Sequence, residues 1–226
     1  GEQVQRPRVL RTVCAVLSAA ACVGALGACG GHDDAPSAPT SPAVWTNDLG
    51  VPLSPMLVGP EPGETKNMRL SSGRTFLLHV PADYTPERSW PVLLAFHGWN
   101  DSPENMEGYT QFDAAHAIVA YPQGLDKAWS PAPYATTSAE EDLDFVHTIV
   151  DSLRATYSVD DDAIFAAGLS NGGGFAAFLA CRMPGTFRSV ATVSAAYYEG
   201  IHSECSERPV GRLDIHGTDD PVVNYE

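Results

Sequence analysis

Ala163 to Leu179 reads AIFAAGLSNGGGFAAFL, and the way this run changes character decides the fold. It opens as a short apolar segment, reaches Ser170 between Gly168 and Gly172, and leaves as an alanine-rich apolar helix. Its centre is a G-x-S-x-G pattern. A strand that turns into a helix within a few residues forces the central residue into a strained backbone conformation, so its neighbours on both sides must be small. The turn lifts the Ser170 hydroxyl clear of the sheet, where a base and a substrate carbonyl both reach it. Such a pattern recurs by chance in Gly- and Ser-rich chains; the strand before it and the helix after it give this one its meaning.

Outward from the elbow, strands and helices alternate. Arg74 to Val80 reads as a strand ended by Pro81, and Trp90 to Phe96 is a second, apolar throughout. A continuously apolar strand is buried on both faces, which predicts a mostly parallel sheet with helices on each side. Ile118 to Tyr121 is a third strand, stopped by Pro122, and a long polar loop through Trp129 and Tyr134 follows. Ser138 to Tyr157 reads as a helix: Ser138 and Glu141 form a capping box, and Leu143, Val146, Ile149, Val150 and Leu153 share one face. Beyond the elbow come a helix from Gly173 to about Met183, a strand from Ser189 to Val193, and a last strand, Arg212 to Ile215. This succession is that of a doubly wound α/β architecture occupying residues 65–226. The chain starts at Gly1 rather than a methionine and stops at Glu226 soon after that strand, so the expectation is a fragment of a longer reading frame.

A length of 226 residues suits one large α/β domain with a tail, and the 44% hydrophobic content supplies its core. Only 13 Lys and Arg stand against 28 Asp and Glu. That balance excludes nucleic acid as a partner, because neutralising phosphates needs clustered basic residues. The acidic excess describes a solvated surface. No metal-ligand spacing occurs, and no Lys-Ser or Lys-Thr follows Gly172 to Gly174 as a phosphate loop requires, so neither metal nor cofactor is expected.

Residues 1–28 read as an export signal. Arg6, Arg8 and Arg11 give a positive start, Val13 to Leu26 a small-residue apolar run, too short for a comfortable membrane span. Leu26-Gly27-Ala28-Cys29 resembles a bacterial lipobox, which would make Cys29 the lipid-bearing mature terminus and the only attachment to a membrane; the other reading is an ordinary signal cut near Ala28. Residues 29–64 form a tether, rich in Pro, Ser, Thr, Ala and Gly, whose composition buries too little apolar surface to offset chain entropy.

A serine nucleophile needs a base, a group that orients the base, and donors for the oxyanion. His97-Gly98-Trp99 follows the second apolar strand, where this architecture places the loop facing the nucleophile, so the Trp99 main-chain N–H is one expected donor. The N–H of Asn171, directly after Ser170, is the other. In the chain order Ser, Asp, His, the acid falls on the loop after a late strand, which offers Asp219 and Asp220. Of the 7 histidines, His97 and His216 sit beside strand ends where they stabilise loops. His32 lies in the tether, and His79, His116, His147 and His202 precede the acid. The base is therefore expected beyond Glu226.

Four blocks in order, Pro91 to Gly98, Ala120 to Gly124, Gly168 to Gly173 and His216 to Val222, resemble the polyhydroxybutyrate depolymerase and feruloyl esterase-like family of α/β-hydrolases, of carbohydrate esterase family 1 type. The resemblance implies an α/β-hydrolase fold whose last strand and helix lie outside this chain. It implies a serine carboxylic-ester hydrolase acting on feruloyl or acetyl esters of polysaccharides or on polyhydroxyalkanoate-type esters. The family pattern H-G-T-x-D puts the catalytic aspartate on Asp220. With Cys14 and Cys22 in the signal and Cys29 in the lipobox, Cys181 and Cys205 remain, as a disulfide or as two buried thiols; the resemblance favours pairing. The rival expectation is a surface lipoprotein that keeps the hydrolase fold for binding, and peptidase activity is a third, because the elbow alone does not separate amide from ester.

Overall fold

The computed structural model describes residues 58–224, so the segment read as an export signal, Cys29 and the expected tether up to residue 57 lie outside the described residues. Seven strands form one sheet in the order β1-β2-β4-β3-β5-β6-β7. β1 (Thr65–Arg69) and β2 (Thr75–His79) make an antiparallel hairpin, and β2 runs antiparallel to β4 (Ile118–Pro122). From β4 onward the pairing is parallel, through β3 (Trp90–Phe96), β5 (Val159–Leu169), β6 (Ser189–Val193) and β7 (Gly211–Ile215). The α-helices among the described residues are α1 (Pro103–Thr110), α2 (Ala139–Thr156) and α3 (Asn171–Arg182).

The sheet is buried from both sides, as the unbroken apolar strands predict. Leu143, Val146, Ile149 and Leu153 of α2 and Phe175 and Leu179 of α3 pack with Phe76, Leu94, Phe96 and Ile118 on one face. On the other, Met106 of α1 and Phe112 lie against Leu77, Ala95, Val119 and Tyr121. The capping box at α2 is present in full: the Glu141 amide donates to Ser138 Oγ and the Ser138 amide to Glu141 Oε2.

Register carries the functional consequence of this architecture. Phe96 is level with Gly168, Leu169 with Val193, and Val193 with Ile215. Side-by-side parallel strands therefore end together, and the residues that follow them, from His97, Ser170, Ser194 and His216 onward, emerge at one edge of the sheet.

Two elements escape the hydrophobic pattern. β1 has only Met68 buried among exposed neighbours, so its strand character comes from pairing with β2 at the sheet edge. α1 is weakly amphipathic; its signal is local, with Ser102 Oγ accepting the Asn105 amide and Pro103 at the first turn. The elbow helix starts at Asn171 rather than Gly173, and β5 starts four residues ahead of the expected Ala163. Residues 58–64, read as the end of the tether, lie along the domain: the Gly63 amide donates to Val80 O, and the Tyr157 hydroxyl to Pro60 O.

Two covalent or charged ties hold the loops around this frame. A disulfide joins Cys181, at the end of α3, to Cys205, ahead of β7; a crosslink over an interval of this size stabilises by about 3 kcal/mol in the chain-entropy model. Asp142, fully buried near the start of α2, bonds Arg74 Nη2 at 3.0 Å, the Ser130 amide at 3.0 Å and Thr137 Oγ1 at 2.7 Å. It fastens the β1–β2 hairpin and the loop ahead of α2 to one carboxylate. Replacing Asp142 with alanine strands the Arg74 guanidinium, itself only 13% exposed. Urea denaturation of Asp142→Ala is expected to show a loss of about 3 kcal/mol.

Candidate active site

The strand-to-helix turn between β5 and α3 holds Ser170 at φ 55 and ψ −119, outside the regions a non-glycine residue ordinarily occupies. Packing explains why the conformation persists. A Cβ on Gly168 would overlap the Gly172 carbonyl, and one on Gly172 would overlap the carbonyls of Phe96 and His97. Each glycine thus lets backbone approach backbone where any side chain would push the turn open. The Ser170 amide donates to Val193 O at 2.9 Å, and its carbonyl accepts the amides of Gly174 and Ala196, each at 3.0 Å. The peptide groups on both sides of Ser170 are bonded while its side chain stays half-buried at the sheet edge.

The loop after β3 lies against this turn: a Cβ on Gly98 would stand 3.6 Å from both Leu169 O and Ser170 Cβ. His97 is wholly buried beneath it. The Gly124 amide donates to His97 Nε2 at 3.0 Å, which places the imidazole proton on Nδ1, and Nδ1 lies 2.7 Å from Gly98 O. Gly98 O and the Trp99 N–H belong to one planar peptide and point in opposite directions. By holding the carbonyl, His97 therefore aims the Trp99 N–H. Asn171 is the first residue of α3, so its N–H has no carbonyl partner within the helix and lies at the positive end of the helix dipole.

A further segment joins the two sides. Trp129 is fully buried, and its main-chain N–H and C=O are both taken by the Asn171 side chain, at 2.8 and 2.9 Å. Its indole N–H donates to His97 O at 3.0 Å. The ring stacks on Phe175, centroids 5.0 Å apart, and meets Phe96 edge-on at 5.2 Å. Neither Trp129 nor the Asn171 side chain is legible as part of the site from the sequence, where Trp129 is one residue in a polar loop.

Asp220 sits half-buried in the loop after β7, and Asp219 beside it is exposed. Asp220 Oδ1 accepts the amides of Val223 at 3.0 Å and Val222 at 2.9 Å, and these bonds hold its carboxyl below the usual carboxylate range. His216 Nε2 lies 2.8 Å from Val223 O and 3.6 Å from Asp220 Oδ2, inside the same loop. The remaining described histidines are placed elsewhere: His79 Nδ1 meets Thr65 and His116 Nδ1 meets Asp83. His202 packs against Tyr197, and His147 lies on α2.

Beside the elbow runs a ledge of rings. Trp99, 60% exposed, lies 5.0 Å from Tyr134, which meets Tyr198 edge-on at 5.5 Å with their hydroxyls 2.9 Å apart. Three different loops contribute one ring each. Among the described residues, no group of His, Cys, Asp and Glu is arranged to hold a metal ion, and no helix is long and apolar enough to cross a membrane.

Comparison with known proteins gives a consistent picture. The profile of the esterase family described as "Putative esterase" matches residues 68–213. "Putative esterase NocK" of Nocardia uniformis is 31% identical over 93% of this chain and 63% of its own length. "Feruloyl esterase C" of Emericella nidulans is 30% identical over 73% of this chain and 62% of its own. The chain thus spans less than two thirds of either relative. Among solved structures, the CE1 ferulic acid esterase of Anaeromyces mucronatus superposes with a TM-score of 0.58 at 17% identity, covering 74% of this chain and 76% of that one. The seven-stranded order, with its antiparallel hairpin followed by parallel strands, and this likeness identify an α/β-hydrolase fold.

Burial pushes the His97 imidazole below its ordinary value. The folded protein therefore refuses a proton that the unfolded chain takes up below about pH 6.5, and stability present above that pH is lost as the solution is acidified. Thermal melts from pH 7.5 to 5 are expected to show this decline, and a shallower one in His97→Gln.

Proposed function

Because the chain belongs to the esterase family matched across residues 68–213, we propose that it hydrolyses carboxylic esters with Ser170 as nucleophile. The observation that carries this reading is the backbone of Ser170, held at φ 55 and ψ −119 on a turn whose glycines leave room for nothing else. Such strain costs on the order of 1–3 kcal/mol and persists where the surroundings over-determine it.

In the proposed reaction, Ser170 Oγ attacks the ester carbonyl carbon while its proton passes to a histidine base, placed after Asp220 in chain order. Negative charge gathers on the former carbonyl oxygen, which receives the N–H groups of Trp99 and Asn171. The tetrahedral intermediate collapses by breaking the bond to the alkoxy oxygen, and the histidine returns the proton to the departing alcohol. Water then attacks the acyl-enzyme by the same route in reverse, releasing the acid and restoring Ser170. Asp220, kept ionised by the Val223 and Val222 amides, orients the histidine and stabilises its cationic form.

The substrate class rests on two supports. Relatives named feruloyl esterase suggest an aromatic acid esterified to a polysaccharide. The ring ledge of Trp99, Tyr134 and Tyr198 offers an aromatic surface beside the elbow, where the largely exposed Trp99 ring is suited to an aryl group or a sugar face. Small acetyl esters and polyhydroxyalkanoate-type esters would meet the same half-buried Ser170 hydroxyl. Export with a lipid on Cys29 would bring the domain to such polymers outside the cell.

Hydrolysis of 4-nitrophenyl acetate and methyl ferulate by the full-length gene product is expected to fall by about a thousandfold or more in Ser170→Ala. Trp99→Ala should cost methyl ferulate more than the acetate. Equal turnover by Ser170→Ala and its parent would overturn the reading.

A further inference from the structure

We propose that Trp129 is a positioning residue that sets the spacing between the two oxyanion donors, a role that rests on the esterase reading of the same site. The two donor-bearing segments come from different parts of the chain. Trp99 follows β3 and Asn171 opens α3, and the β3–β5 ladder ends at Phe96 and Gly168, short of both. Past the ends of the strands, the Gly172 contact with the Phe96 and His97 carbonyls sets how near the segments come, and directional bonds must hold the two N–H groups relative to each other, because oxyanion donors act only when held in the geometry of the transition state.

Trp129 bonds both segments. On the α3 side, the Asn171 amide closes a two-bond ring with the Trp129 main chain, at 2.8 and 2.9 Å, so the residue that carries one donor is held by its own side chain. On the β3 side, the indole N–H donates to His97 O at 3.0 Å, fixing the peptide directly before the one that carries the Trp99 N–H. Two flanking bonds from the same loop reinforce the second grip: Gly124 N–H to His97 Nε2 at 3.0 Å and Asn100 N–H to Lys127 O at 2.8 Å. The loop is anchored in turn where Asp142 accepts the Ser130 amide.

A purely packing role does not account for this arrangement. Phenylalanine would supply ring contacts with Phe175 and Phe96, but only an indole also reaches the His97 carbonyl. An asparagine at the first helical position is likewise not required by α3, yet both polar atoms of its side chain are committed to Trp129, with only 2% of the residue exposed. Trp129, His97 and Asn171 are buried, where an unmade bond is costly, so the geometry is held tightly.

Trp129→Phe and Asn171→Asp in the full-length gene product test the proposal; the aspartate keeps an acceptor for the Trp129 N–H and loses the donor to its carbonyl. Turnover of 4-nitrophenyl acetate should fall about 10- to 100-fold with KM within about threefold, the signature of a group that acts in the transition state. Amide hydrogen exchange should rise together in residues 96–100 and 170–174. Leu153→Ala, in the core of α2, is the control for lost stability and should lower the melting temperature without this split. Trp129→Phe turnover within twofold of the parent, or unchanged exchange in either segment, would overturn the assignment. If the parent shows no Ser170-dependent hydrolysis, the esterase reading falls, and the exchange measurement alone decides whether Trp129 couples the two segments.

Discussion

The constraint on which the rest depends is the contact of backbone with backbone at the β5–α3 turn. Gly168 faces the Gly172 carbonyl, and Gly172 faces the carbonyls of Phe96 and His97, at separations that admit no Cβ. This proximity ties three chain segments into one unit: the elbow, the first turn of α3 and the loop after β3. The strained, positive-φ backbone of Ser170 follows from that closeness, because no ordinary conformation turns a strand into a helix in so little space. The hydroxyl is presented by the strain rather than by the freedom of a flexible loop.

Around this unit the protein uses buried polar groups where an all-apolar core would pack as well. His97, Asn171 and Asp142 are each almost inaccessible to water, and each binds main chain. His97 bonds the Gly98 carbonyl and the Gly124 amide, Asn171 bonds both polar groups of Trp129, and Asp142 bonds the Ser130 amide. Apolar packing is non-directional and tolerates small rotations of a peptide plane. Hydrogen bonds to specific carbonyls and amides do not, and orientation of N–H groups is what an oxyanion site requires.

The same logic divides the edge of the sheet into a rigid and an open part. Ser170 and Asn171 rest at the junction of β5 and α3, and the main chain before Trp99 is bonded to that junction through Trp129, while the rings of Trp99, Tyr134 and Tyr198 stand on three loops and leave Trp99 largely exposed. Chemistry held by a scaffold and recognition carried by loops is an arrangement that lets one reaction serve different esters.

The α/β class, the parallel sheet, the elbow, the α2 capping box, the candidate residues Ser170, Trp99 and Asn171 and the Asp219–Asp220 pair were all legible in the amino-acid order, because each depends on local chemistry. An apolar run marks a buried strand, Ser138 with Glu141 marks a helix start, and small residues around Ser170 mark a tight turn. β1 was not legible: its exposed residues carry no pattern, and pairing with β2 makes it a strand. The choice between Asp219 and Asp220 needed a family resemblance, whereas the fold supplies a physical basis, since only Asp220 turns inward to meet the Val222 and Val223 amides. Trp129 was out of reach for the same reason. Its partners His97 and Asn171 lie 32 and 42 residues away, and a bond between distant segments exists only after the sheet has brought the ends of β3 and β5 level. Sequence alone determined which residues are candidates for chemistry and where the chain turns; tertiary structure decided what holds those residues at fixed distances, because that depends on contacts no local pattern encodes.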